Sequence, residues 1–224
     1  MSQNIIHNHG INDIYIHESH KVGVNIHITG NGNKIHIGKC LAQSNIKIVI
    51  NGDNNNIFIK SIRCIRGLTI HVGSHVKASK SQLNIGDDVS MENSCSILLY
   101  NSGNVCNIGD DCMFSNTITI RCGEQPHLIF DKITGEYLDI SEGVFIGNHV
   151  WVGERVYITK NVTIPDECVI GAASVVTKRF VDAYCAIAGN PAKVVRNNIQ
   201  WIRNKGYLLE DSIFYSEFAK VHDV

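Results

Sequence analysis

Between Ile120 and Val144 the chain reads RCGEQPHLIFDKITGEYLDISEG, and the one histidine in that stretch is His127. An imidazole titrates near neutral pH, so it can take a proton from a bound hydroxyl and later return it. The segment also holds Pro126, three glycines and five carboxylates, the composition of a loop. Asp131 lies close enough in sequence to orient the imidazole, or to be a solvated loop carboxylate. The chain has eleven histidines. His27, His36 and His71 alternate with Ile or Val and are expected to face solvent on strands. His149 is the second candidate base. Next to it Trp151 interrupts an otherwise aliphatic pattern. A large ring in an outward position needs cover, from a neighbouring subunit or from a ligand, and it offers an indole N–H.

These residues hang on a repeat. Ile146, Val152, Ile158, Ile164, Ile170 and Val176 recur at spacing six, and Val150, Val156, Val162, Cys168 and Ser174 follow four residues behind them. Six steps smear around a helix but return to one face of a strand. The residues after the first ladder are Gly147, Gly153, Thr159, Pro165, Gly171 and Thr177, which suit a bend after each short strand. Short strands bending at fixed intervals make a solenoid with the ladders inside. Upstream the rhythm lengthens: IYI (14–16), VNIHI (24–28), IHI (35–37), IKIVI (46–50) and IFI (57–59) recur at steps near eleven, separated by TGNGNK and NGDNNN turns. The expected architecture is all-β, a parallel β-helix from about residue 14 to 190. Its first part, 1–80, has wider coils of the same solenoid or, alternatively, is a separate all-β domain, and 81–196 carries the hexapeptide coils with the loop 121–143 thrown out of them. The tail 197–224 loses the period. EDSIFYSEFAKV within it reads as a short amphipathic helix, and the tail, Trp201 included, is expected to cap the open end. The Asn-, Gly- and His-rich turns of the wide coils are expected to offer neutral polar surface.

Composition narrows the function classes. Net charge is −1, which gives no basic field for nucleic acid or an anionic membrane. There is no long apolar run for a transmembrane helix, and MSQNIIHNHG is not a secretion signal, so a cytoplasmic location is expected. The eight cysteines are scattered without a CxxC pair, which fits reduced core thiols better than disulfides or a zinc site.

The tract 144–196 resembles the hexapeptide-repeat acyltransferases, most specifically in VIGAASVVTKRFVDAYCAIAGNPAKVVR (169–196). The resemblance implies a left-handed parallel β-helix, a homotrimer with sites between subunits, acetyl-CoA as donor and no metal. It places the general base on an ejected loop in a segment similar to His127, Ile129, Asp131, Thr134, Gly135 and Glu136. The HVWVG setting of Trp151 is similar to that in sialic-acid-capsule O-acetyltransferases, which pair a loop histidine with such a tryptophan. By the same resemblance, the coenzyme would lie along Gly153, Gly171, Ala172 and Ala173. Its phosphates would meet Lys160, Lys178, Arg179, Lys193 and Arg196. The implied reaction is acetyl transfer to a hydroxyl of a surface polysaccharide, capsular or lipopolysaccharide, with sialic acid as one acceptor. Three rival readings stay open: an N-acetyltransferase acting on amino-sugar nucleotides, a serine acetyltransferase, and a non-enzymatic β-solenoid binding protein. The serine enzymes carry a helical N-terminal domain where this chain has strands. A β-helical zinc carbonic anhydrase would need a third histidine near position 154, where Glu154 stands.

Overall fold

The computed structural model describes residues 4–20, 23–42 and 44–222. Its strands form a three-sided prism of about eight turns, and the pairing along the prism is parallel. One face runs from Ile5–His9 through Cys95–Leu99 and Thr119–Arg121 to Val175–Val176. A second runs from Asp13–Ile16 to Val162–Ile164. The third carries Val89–Met91, Met113–Phe114, Trp151–Val152, Val169–Ile170 and Cys185–Gly189. The long strand Ile62–Val72 bends around a corner and serves two faces.

Register explains both sequence rhythms. Val144 lies opposite Val162 and Trp151 opposite Val169, so a coil here takes eighteen residues, three hexapeptides. Val24 lies opposite Ile46 and Lys34 opposite Asn56, so the early coils take twenty-two, two strands at a step of eleven. Cys106 lies opposite Val144, thirty-eight residues on; the surplus twenty are the ejected loop. Every residue of both aliphatic ladders is buried. Removing a side chain of that size from water contributes about 1.5–3 kcal/mol each. Parallel pairing begins one strand earlier than expected, at Ile5–His9.

The corners cost something in return. His149, Arg155, Asn161, Glu167 and Ala173, again six apart, all adopt left-handed backbone, with φ between 50° and 62°. For a residue with a Cβ this costs roughly 1 kcal/mol, offset by the stacking it permits. In the wide coils a corner is held by amides. Asn33 and Asn55 are buried, and each side chain donates to the next coil's carbonyl, Gly52 O at 3.0 Å and Ala78 O at 3.0 Å. Their Oδ1 atoms accept the N–H groups of Asn55 and Ser81. The expected polar surface therefore shrinks: these asparagines face inward, because a tight corner leaves backbone groups that only an amide can satisfy in both senses.

The tail also departs from expectation. The last strand turns back through Asn190–Pro191 to form the antiparallel hairpin Cys185–Gly189 with Ala192–Asn197. The chain then runs back down one corner of the prism instead of over its end. It meets Tyr184, Glu167, His149 and Asp111 in turn, and reaches Asp88 through Arg63. Those five form the column of left-handed corners before the third face, and their acids complement the tail's amide and arginine. The expected helix is present at Ile213–His222, with none of its residues buried.

Candidate active site

Two structures frame the candidate site: the loop that carries His127 and the coil wall that carries Trp151. The loop leaves the first face after Arg121 and rejoins the second at Val144. Its limbs are stitched together at the root by Asp139, which is 2% exposed. Asp139 Oδ2 accepts from Asn101 Nδ2 at 2.6 Å and from the Glu124 N–H at 3.0 Å, while Oδ1 takes the Lys160 ammonium. Burial alone would raise this carboxyl's pKa. The Lys160 ammonium, Asn101 and the Glu124 N–H outweigh it and hold the group below its usual range. Asn101 also accepts the Gln125 N–H at 3.2 Å, directly before Pro126 and His127.

Beyond that root the loop stands clear. His127 is exposed, and its imidazole makes no hydrogen bond among the described residues. Asp131 does not orient it: Oδ1 accepts the N–H groups of Ile133 at 2.8 Å and Thr134 at 2.7 Å. Those bonds shape a turn and lower the carboxyl's pKa. The tip exposes Leu128, Ile129, Phe130 and Ile133, an apolar surface on a hairpin closed by Phe130 and Tyr137.

Trp151 projects from the third face, 37% exposed, between Met113 and Val169 in the ladder. Its indole N–H reaches Ser115 Oγ at 3.4 Å, a long bond that a better acceptor could displace. Trp201 from the tail lies 6.2 Å away, ring centre to ring centre. His149, the second candidate base, is occupied: its Nδ1–H donates to Glu167 Oε2 at 2.6 Å and its ring stacks on Trp201 at 4.0 Å.

The residues expected to hold a coenzyme separate into groups. Gly153 is buried, and a Cβ there would sit 2.7 Å from Ala172 N, so its smallness serves coil stacking. Ala172 and Ala173 are exposed beside Gly171 on the next corner. Lys160 is committed to Asp139 and Arg179 to Glu142, so both tie down the loop's returning limb. Lys178 lies over the Phe180 ring at 5.3 Å. Lys193 and Arg196 are exposed on the terminal hairpin with no ion-pair partner among the described residues. The buried thiols are poor nucleophiles: burial pushes Cys95 up to about 11 and Cys112 and Cys168 up to about 12. No group of three His, Cys, Asp or Glu among the described residues could hold a metal ion.

Sequence reasoning missed Asp139, Asn101 and Trp201 as parts of this arrangement. Each acts on residues far away in sequence, brought near by coil stacking. The eighteen-residue repeat does not pair Lys160 with the loop root, because Asp139 is twenty-one residues away and comes within reach through the loop's return.

Comparison with known proteins fixes the family. A polysialic acid O-acetyltransferase of Neisseria meningitidis is 36% identical over 196 residues, covering 86% of each chain. The chain belongs to the hexapeptide-repeat acetyltransferases. Like other hexapeptide-repeat acetyltransferases it is a left-handed parallel β-helix, and it is an acyltransferase. A polysialic acid O-acetyltransferase of Escherichia coli O1:K1 is 36% identical over 109 residues; that match spans 47% of this chain and only 35% of the relative. The crystal structure of the polySia-specific acetyltransferase NeuO superposes with a TM-score of 0.72 at 26% identity, covering 98% of this chain and 92% of that one. No protein-family model matches the sequence.

Proposed function

We propose that the protein moves an acetyl group from acetyl-CoA to a hydroxyl of a surface polysaccharide, capsular or lipopolysaccharide, with a sialic-acid-like sugar as acceptor. The observation that carries this reading is the likeness to polysialic acid O-acetyltransferases along most of the chain. His127 is the general base. It takes the acceptor's hydroxyl proton as the oxygen attacks the thioester carbonyl, and it returns that proton to the departing CoA sulfur. Its exposed, unbonded imidazole supports the role, since a base must be free to meet its substrate. Trp151 walls the cleft, and its indole N–H, aimed toward Ser115 through a long bond, passes to the developing oxyanion on that side. Ala172 and Ala173 leave room for the pantetheine arm beside Gly171. Lys178, Lys193 and Arg196 meet its phosphates; their support is that, unlike Lys160 and Arg179, they have no carboxylate partner among the described residues.

The working unit is a homotrimer in the cytoplasm. The exposed Leu128, Phe130 and Ile133 support it: an apolar hairpin of that kind is stable when a second copy covers it. No bond links His127 to Trp151 within one chain among the described residues, which suits a site completed by a neighbour's loop. The test is acetyl-CoA turnover against a panel of acidic polysaccharides, neutral polysaccharides and amino-sugar nucleotides. Acetylation of a polysaccharide hydroxyl is expected. Transfer to an amino-sugar nucleotide alone would replace this reading with N-acetylation.

A further inference from the structure

The C-terminal tail ends up against the candidate site. After the terminal hairpin, Ile199 N–H donates to Tyr184 O at 2.9 Å and Gln200 lies against Glu167. Trp201 is then driven into the corner beside the third face, where it is only 6% exposed. Three contacts fix its ring. Its Nε1–H donates to His149 O at 2.8 Å, its face stacks on the His149 imidazole at 12° between planes, and the Arg203 guanidinium lies 6.0 Å from the ring centre. His149 is itself held from behind by Glu167 at 2.6 Å. Arg203, 8% exposed in its side chain, anchors the next step of the tail to Asp111 at 2.6 Å and to Ser90 at 2.7 Å.

All of this holds one indole against another. His149 sits at the left-handed corner two residues before Trp151, and the Trp201 ring stacked on it lies 6.2 Å from the Trp151 ring. Met113 and Val169 border Trp151 along the ladder, and Trp201 borders it toward the corner, tilted at 43°. Remove Trp201, and Trp151 gains room to rotate over the corner, carrying its N–H away from the Ser115 direction.

We propose that Trp201 is a positioning residue for acetyl transfer, and that residues 199–203 form a strap fixing the Trp151 rotamer. This rests on reading Trp151 as the wall of the acetyl-transfer site. It differs from a stabilising cap in what it controls: the aim of an N–H donor, hence the rate constant, more than the melting temperature or coenzyme binding.

The chain contains two tryptophans, so Trp201→Phe and Trp201→Ala each leave Trp151 as the sole indole. In the full-length protein, Trp201→Ala should lower kcat about tenfold to a hundredfold, the scale of a small misplacement of a reacting group. The KM for acetyl-CoA should change little. Acrylamide should quench Trp151 fluorescence more readily in Trp201→Ala than in Trp201→Phe, and Trp201→Phe should recover most of the turnover. Arg203→Met loosens the strap without removing the ring and should shift kcat and quenching the same way by less; it carries the test if Trp201→Ala does not fold. Wild-type kcat in folded Trp201→Ala, or in Arg203→Met where Trp201→Ala is unfolded, overturns the proposal. If Trp151→Ala is inactive in the same assay, that failure leaves the site reading intact. A fully active Trp151→Ala overturns the site reading, and the strap's role with it.

Discussion

The loop that carries His127 and the wall that carries Trp151 are held by opposite means. The wall is a rung in a ladder: its backbone is paired to Met113 and Val169, and its strand buries Val152 in the core. Its position is spread over many small contacts, so no single polar group decides it. The loop is twenty residues without a ladder, and its root is gathered by a few bonds to one buried carboxylate, with Arg179 and Asn161 holding the returning limb. Distributed burial tolerates substitution, whereas a concentrated polar root does not, because each lost partner leaves a charge or dipole unsatisfied.

Substitutions can break that contrast at different points. The largest effect belongs to the loop tip. His127→Ala should cut turnover by about a hundredfold to ten-thousandfold, the range for a lost general base. The circular dichroism spectrum should not change, since the side chain is exposed and unbonded. If His149→Ala instead abolishes turnover and His127→Ala does not, the loop is not the catalytic arm.

At the loop root, Lys160→Met should destabilise the protein by about 3 kcal/mol, because Asp139 stays buried without its cation. Denaturant midpoints measure this. The double change Lys160→Met with Asp139→Asn should recover part of the loss, and a double variant no better than the single would show that the charge is not what matters.

Acid should act on the same root. Asp139 has a lowered pKa in the folded protein, so the unfolded chain binds a proton more readily. The stability it contributes is complete above the ordinary aspartate value, near about 4, and is lost as pH falls through its depressed folded value. Limited proteolysis of the loop should therefore accelerate in strong acid in the wild type, and Asp139→Asn should flatten that dependence.

The smallest effect is expected at Arg179. Its pair with Glu142 is more than half exposed on both sides. Arg179→Ala should shift stability by no more than about 0.5 kcal/mol, and a clear loss of acetyl-CoA affinity in that variant would mean that the arginine leaves Glu142 for the coenzyme.

How much of this was legible in the sequence follows from the physics of each part. The ladders from Ile146 to Val176 were, because burial on one face of a strand imposes a period that composition alone displays. The loop was, because the period stops at Ile120 and resumes at Val144. Asn33 and Asn55 were not: an asparagine in a turn has the same local signature whether its amide faces water or the next coil. Lys160 was not, because its partner Asp139 is twenty-one residues away and enters its reach only through the loop's return. Trp201 was not, since the tail has no period to say on which side of the prism it lies.

The tail's route has a consequence for how the molecule comes apart. A solenoid is a row of near-independent units, each leaning only on its neighbours, and such rows can fray from one end. Here residues 199–207 span from Tyr184 to Arg63 and Asp88, crossing several coils in one pass. A terminal coil cannot peel away without also dragging the ribbon off units far inside the stack. Between Tyr184 and Asp88 the ribbon works like a splint along a stack of coins, so those coils should come apart together, not one at a time.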